Sequence, residues 1–230
     1  GALLEYLRET QKHALSNINR LRLVDASKNM SLDATAVRNL EILKNNAEGK
    51  KYGSLLWLLD KTKTGMGARK LVSMLSAPLL EKREIERRLD AVEELFKGTV
   101  VRMGIADMHG GVRDIERLTG RVSNGNIQPR DCLLLASSLT AVPNLKFQLT
   151  GFSSALLREI SAELVDTAPI CKLLESAIAP EATTLKEGNY IRRGYNAQLD
   201  ELRAVKDDGK SLVLELETRE RERTGIRTLK

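Results

Sequence analysis

The stretch Asn196-Ala-Gln-Leu-Asp-Glu-Leu-Arg-Ala-Val-Lys-Asp-Asp-Gly-Lys-Ser-Leu-Val-Leu-Glu-Leu-Glu-Thr-Arg-Glu-Arg-Glu-Arg223 contains no proline. Its apolar residues, Leu199, Leu202, Val205, Leu212, Val213 and Leu216, recur at helical spacing and form a stripe on one side. At ~1.5 Å per residue such a helix is about 40 Å long. After Leu216 the stripe ends in Glu-Thr-Arg-Glu-Arg-Glu-Arg-Thr. A helix that is apolar on one face for about five turns and on none for the last two is expected to leave its core and project outward. Gly225 stands where a left-handed cap ends a helix. Ile226 and Leu229 open a new apolar pattern that Lys230 cuts short, so the chain is expected to be a piece of a longer protein.

Upstream of this helix the pattern is also helical. Residues 2–15 carry Leu3, Leu4, Leu7 and Ala14 on one side. Leu21, Leu23, Met30 and Leu32 flank a polar stretch, which predicts two short strands or an extended loop over 21–33, followed by a short helix at 34–40. Leu55, Leu56, Leu58 and Leu59 predict a helix that is apolar nearly all round and therefore buried. Gly65 and Gly67 read as a tight connection between helices, with the next helix carrying Leu71, Val72 and Leu75 and stopping at Pro78. Ile85, Leu89, Val92 and Phe96 give residues 82–96 a core-facing stripe. Ile115, Leu118 and Val122 mark a helix ending near Asn124-Gly125. Pro129 begins another that runs to about Val142, before Pro143. Leu156, Ile160 and Leu164 mark one more, and 180–194 reads as a connector with a short strand at Tyr190-Ile191. The fold class is therefore mainly α: a multi-helix body over 1–194 with a few short strands, and a long projecting C-terminal helix over 195–230.

Composition agrees. With 42% hydrophobic, 30% charged and only 3% aromatic residues, the 230-residue chain must build its core from aliphatic side chains, which suits packed helices better than a β-sandwich. The net charge of +6 permits contact with a polyanion without requiring it. Cys132 and Cys171 sit in apolar runs and read as core thiols in a reducing, cytoplasmic compartment. No apolar run approaches the ~18 residues of a membrane span.

The search for chemistry yields no catalytic, cofactor or metal residues. His13 and His109 are far apart in sequence, neither stands at zinc spacing from a cysteine, and surface or helix-end roles fit both. Gly65-Met66-Gly67 lacks the third glycine of a dinucleotide loop, and Gly209-Lys210-Ser211 mimics a phosphate loop from inside a helical pattern. Asp107, Asp114 and Glu116 share no geometry that spacing alone can fix. One cluster remains: Arg219, Arg221, Arg223, Arg227 and Lys230, where the long helix leaves its core. Such a tip suits nonspecific contact with phosphates, although Glu217, Glu220 and Glu222 alternate with it.

Several stretches, in order, resemble the MutS family of DNA mismatch repair proteins. They are Leu32-Asp33-Ala34-Thr35 continuing to Arg38-Asn39-Leu40-Glu41, and Gly53-Ser54-Leu55-Leu56-Trp57-Leu58-Leu59-Asp60-Lys61-Thr62 with Thr64, Gly67, Arg69 and Leu71. Next come Pro78-Leu79 with Arg88-Leu89-Asp90, then Asp114-Ile115-Glu116-Arg117-Leu118 with Pro129-Arg130-Asp131. Last are Gly194-Tyr195, Leu199-Asp200, Leu202-Arg203 and Arg219-Glu220-Arg221-Glu222-Arg223-Thr224-Gly225-Ile226. The resemblance implies a helical core or lever between an ATPase domain and a clamp that closes on double-stranded DNA, with the last helix running toward the clamp. It implies ATP and magnesium in the parent protein but none in this chain. It further implies a homodimeric parent, a MutL-type partner and contacts to adjacent domains. The charge cluster, not the resemblance, makes Arg221, Arg223, Arg227 and Lys230 the expected DNA-backbone contacts, and no membrane contact is expected. The alternatives are a helical protein-interaction module or a relative of the family acting in recombination.

Overall fold

The computed structural model describes residues 2–10, 26–186 and 188–225. Among them the chain forms α1 (Ala2–Thr10), α2 (Ala34–Asn39), α3 (Leu55–Leu59), α4 (Gly65–Ser76), α5 (Lys82–Lys97) and α6 (Thr99–Gly111). Then follow α7 (Ile115–Ser123), α8 (Pro129–Leu139), α9 (Ala141–Leu149), α10 (Ala155–Glu163), α11 (Ala168–Ala177) and α12 (Ala197–Thr224). Extended pairing among the described residues is limited to two isolated antiparallel bridges, Asn29 with Leu79 and Ile178 with Ile191. The second falls within the short strand expected at Tyr190-Ile191, of which only the single bridge at Ile191 forms. Of the extended stretch expected over 21–33, residues 21–25 fall outside the described residues, while Ala26–Lys28 form a 3-10 turn leading into the first bridge. The expected helix over 2–15 is described only through Thr10.

The body is built by α5–α11. α8 packs most extensively on α11, α9 lies against α6 and α10, and α5 lies against α10 and α6. Ala91, Leu149 and Leu157 are buried together with Leu95, Ile105, Phe152, Leu156 and Leu164 around them. On the α8–α11 side Leu135, Ala136, Cys171, Ile178 and Ala179 are buried. Small residues let these backbones approach. Ser138 is fully buried and satisfied twice: its Oγ donates to the Leu134 carbonyl at 2.7 Å and accepts from Arg113 N at 3.0 Å. Both cysteines are free, and Cys171 is buried while Cys132 is half-buried, with its thiol pKa pushed up by burial and then by Asp131.

The sequence patterns misassign several segments. Gly65 and Gly67 do not form a connection; they occupy the first turn of α4, capped by Thr64, whose Oγ1 accepts from Gly67 N at 3.0 Å. Gly65 allows close approach, since a Cβ there would stand 3.0 Å from Asp114 Oδ2. α3 is not buried all round: Leu56 is its only buried residue, and Trp57 packs its ring on Tyr52 at 4.7 Å instead. Pro143 does not end a helix. The chain stops α8 at Leu139 and restarts at Ala141, which puts Pro143 third in α9, where a missing N–H forfeits no intrahelical bond. The stripe of α5 is also inverted. Ala91 and Leu95 face the core, while Leu89, Val92 and Phe96, the last 72% exposed, face outward.

Candidate lever and nucleic-acid interface

α12 is 28 residues long, capped by Asn196 Oδ1 accepting from Leu199 N at 3.0 Å and ended by Gly225 in the left-handed conformation at φ 70°. Both ends match the sequence reading, and Gly209-Lys210-Ser211 lies inside the helix. The packed stripe does not follow. Leu199 is half-buried, but Leu202 is 68% exposed, and Val205, Val213, Leu214 and Leu216 are exposed with it. The helix departs from the body within its first two turns, well before the apolar stripe runs out.

Its attachment is polar and concentrated at the root. Asp200 Oδ2 accepts from Gly194 N at 2.6 Å, and Asp200 Oδ1 accepts from Arg203 Nη1 at 3.1 Å. Arg203 Nη2 donates to the Ile191 carbonyl at 2.9 Å. The Gly194 amide, then Arg203, holds the Asp200 carboxyl below its ordinary pKa. Ile191 sits on the bridge to Ile178, flanked by Ala179 N on the Tyr190 carbonyl at 2.9 Å and Arg192 N on the Ala177 carbonyl at 2.8 Å. The root is thus bonded to the end of α11, and α11 is packed on α8.

The path continues through charged clamps. Arg121 Nη1 lies 2.8 and 2.7 Å from the two oxygens of the buried Asp131, tying α7 to α8. Arg69 of α4 donates to Asp114 at 2.7 and 2.8 Å and to Glu116 at 2.5 and 3.2 Å. Asp114 also caps α7 through Arg117 N at 3.2 Å. The Arg69 guanidinium holds the Asp114 carboxyl near a pKa of about 2, and the guanidinium is itself pushed up, by Asp114 first and Glu116 second. Glu94 of α5 accepts from Ser153 N at 2.6 Å and Ser154 N at 2.8 Å, and these amides lower it to about 2. Asp114 and Glu116 therefore form a structural clamp with an arginine distant in sequence, and Asp107 is exposed on α6 apart from it. Spacing offered no signal for that partner.

The basic tip is only partly described. Arg223 pairs with Glu220 at 2.7 Å and Arg221 with Glu217, both within α12, whereas Arg227 and Lys230 lie outside the described residues. Arg219 is exposed. His109 closes the last turn of α6, its Nδ1 2.8 Å from the Ile105 carbonyl, while His13 lies outside the described residues. No group of three or more His, Cys, Asp or Glu among the described residues could hold a metal ion. No helix among them is long and apolar enough to cross a membrane.

Comparison with known proteins decides the family. A profile described as MutS domain III matches residues 35–227. The chain belongs to the MutS family. The DNA mismatch repair protein MutS of Caldanaerobacter subterraneus subsp. tengcongensis is 43% identical over 231 residues, covering 100% of this chain and 27% of that protein. The MutS of Lachnoclostridium phytofermentans is 41% identical, covering 100% of this chain and 25% of its own length. That of Methanothrix thermoacetophila is 39% identical, with 100% and 27% covered. The chain thus spans about a quarter of the length of these MutS relatives and corresponds to domain III, a helical region of a mismatch repair protein.

Proposed function

We propose that this domain III chain is a noncatalytic lever, coupling the ATPase domain of a longer MutS-type protein to a clamp that closes on double-stranded DNA. The observation that carries the reading is the contrast between a clamped helical body and a 28-residue helix tied to it, among the described residues, by polar contacts at its root. A stiff rod anchored at one end turns a small tilt at the anchor into a large displacement at the tip. In the parent protein ATP and magnesium supply the nucleotide-dependent step. The parent acts as a homodimer in the cytoplasm, contacts adjacent domains through this body, and receives a MutL-type partner.

Direct DNA contact by this chain is confined to the backbone, through Arg221, Arg223, Arg227 and Lys230. Arg221 and Arg223 exchange their in-helix glutamates for phosphate when a duplex is present; for Arg223 the exchange is inexpensive because its pair with Glu220 is largely solvent-exposed. A second reading, a protein-interaction module, draws support from the exposed apolar face of α12.

Fluorescence anisotropy of labelled mismatched and fully paired duplexes over a salt series tests both readings. The lever with a basic tip predicts weak binding, no mismatch preference and a log–log salt slope of about −0.9 per phosphate contact. Changing Arg221 and Arg223 to glutamate is expected to abolish it. Mismatch preference would overturn the confinement of DNA contact to the backbone, and salt-independent absence of binding would favour the interaction module.

A further inference from the structure

A recess of about 560 Å³ opens between α2, the loop following it and the C-terminal end of α4. Leu32, Ala34, Val37 and Leu43 line it, with Arg38 and Lys44 as its only charged lining residues. Its wall is preformed. Asn45 Oδ1 accepts from Glu48 N at 2.9 Å and from Lys50 N at 3.2 Å, while its Nδ2 donates to the Tyr52 carbonyl at 2.9 Å. Glu41 takes a left-handed φ of 48°, unusual for a glutamate, and is held there from both sides. Its Oε1 accepts from Asn46 N at 2.6 Å and its carbonyl accepts from Leu55 N at 3.0 Å. A recess fixed this way loses little entropy when something enters it.

The charges around it are unbalanced. Each neighbouring carboxylate is engaged: Asp33 caps α2 through Ala36 N at 2.6 Å, Glu41 holds Asn46 N, and Glu48 pairs with Lys50 at 2.7 Å. Arg38 and Lys44 are exposed and have no ion pair among the described residues. We propose that this groove is a docking site for a segment of a partner polypeptide that carries apolar side chains flanked by carboxylates. The apolar walls take the side chains, and Arg38 and Lys44 at the rim select acidic flanks over basic ones. Mostly apolar walls are ill suited to a hydrated phosphodiester backbone, which places this surface apart from the basic tip of α12. The inference is independent of the lever reading, because no residue of the groove belongs to the α12 root.

The test uses the uniformly 15N-labelled 230-residue chain and a synthetic helical peptide with leucines at i, i+4 and i+7 flanked by glutamates. Two analogues accompany it, one with lysine for every glutamate and one with serine for every leucine. The glutamate peptide is expected to shift the amides of Val37, Leu43 and Asn46, and both analogues to bind about tenfold more weakly or worse. In Arg38→Glu/Lys44→Glu the preference between glutamate and lysine peptides is expected to invert. Both positions are exposed, and an unchanged amide spectrum away from the groove verifies the fold of the variant. Equal affinity for the two charged peptides, equal affinity for the serine analogue, or no shift at millimolar peptide would each overturn the proposal. So would displacement of the peptide by a short DNA duplex acting on the same amides.

Discussion

The body of α5–α11 and the projecting α12 are both helical, yet they are held by different means. In the body, helices are pinned to one another by buried aliphatic side chains and, at two places, by a carboxylate that reaches across elements, Glu94 to the start of α10 and Asp131 to Arg121, while Asp114 at the start of α7 ties in α4 through Arg69. In α12 the polar ties to the body among the described residues gather at Asp200 and Arg203, and further along the helix i,i+3 and i,i+4 pairs such as Glu217 with Arg221 join its own turns. One region is held by cooperation among elements; the other, beyond its root, is a single helix.

The sharpest way to break this contrast is to remove the same side chain from each region. Leu157 is 5% exposed within the body, so Leu157→Ala is expected to lower unfolding stability by about 2–5 kcal/mol, read by chemical denaturation. A loss below about 1 kcal/mol would mean that the body is not the cooperative unit described. The next effect belongs to Arg121→Ala. Its removal leaves Asp131, 8% exposed, with only the Gln128 amide at 3.3 Å, and a loss of about 1–3 kcal/mol is expected in the same assay. Asp131→Asn in that background should recover part of it; no recovery would show that the arginine acts by packing alone.

A further distinction is drawn by pH. The Ser153 and Ser154 amides hold Glu94 near a pKa of about 2 in the folded chain, against 4.5 for the free group. A depressed carboxylate adds stability that is complete above its unfolded pKa and disappears as pH falls through the folded one. Glu94→Gln is therefore expected to melt at lower temperature than the parent at pH 7, with the gap closing between about pH 4.5 and 2. A gap independent of pH, followed by circular dichroism, would mean that the side chain serves only as a neutral acceptor.

Local signals were legible where chain and solvent alone decide the outcome. The ends of α12 could be read from Asn196 and Gly225, and the start of α8 from Pro129, because caps and proline act within one turn. Signals that depend on a partner were not. Apolar periodicity locates a stripe but not what covers it, so Ile85, Leu89, Val92 and Phe96 read as core although α10 and α6 take the Ala91–Leu95 face. α6, with three glycines, and α11, with its short pattern around Cys171, carry too little contrast to announce themselves. Arg69 lies 45 residues from Asp114, beyond any helical spacing, so the clamp emerges only in the fold. Of the proposed DNA contacts, the sequence located the basic cluster, and the alternation of Arg221 and Arg223 with glutamates already signalled pairing within the helix.

The smallest expected effects fall on α12, and they carry the comparison to its limit. Gly209 sits mid-helix with nothing within 4 Å of where a Cβ would stand, so Gly209→Ala is expected to raise helix stability by about 0.5–1 kcal/mol, seen as slower amide exchange across residues 205–214. Leu202→Ala is the direct counterpart of Leu157→Ala: the same atoms are deleted, but from a side chain already 68% exposed. Little apolar surface returns to water and no cavity forms, so global stability should change by less than about 0.5 kcal/mol. A loss of several kcal/mol would show that the stripe Leu202, Val205 and Leu216 is covered in solution, and α12 would then be part of the body rather than a lever anchored at Asp200 and Arg203.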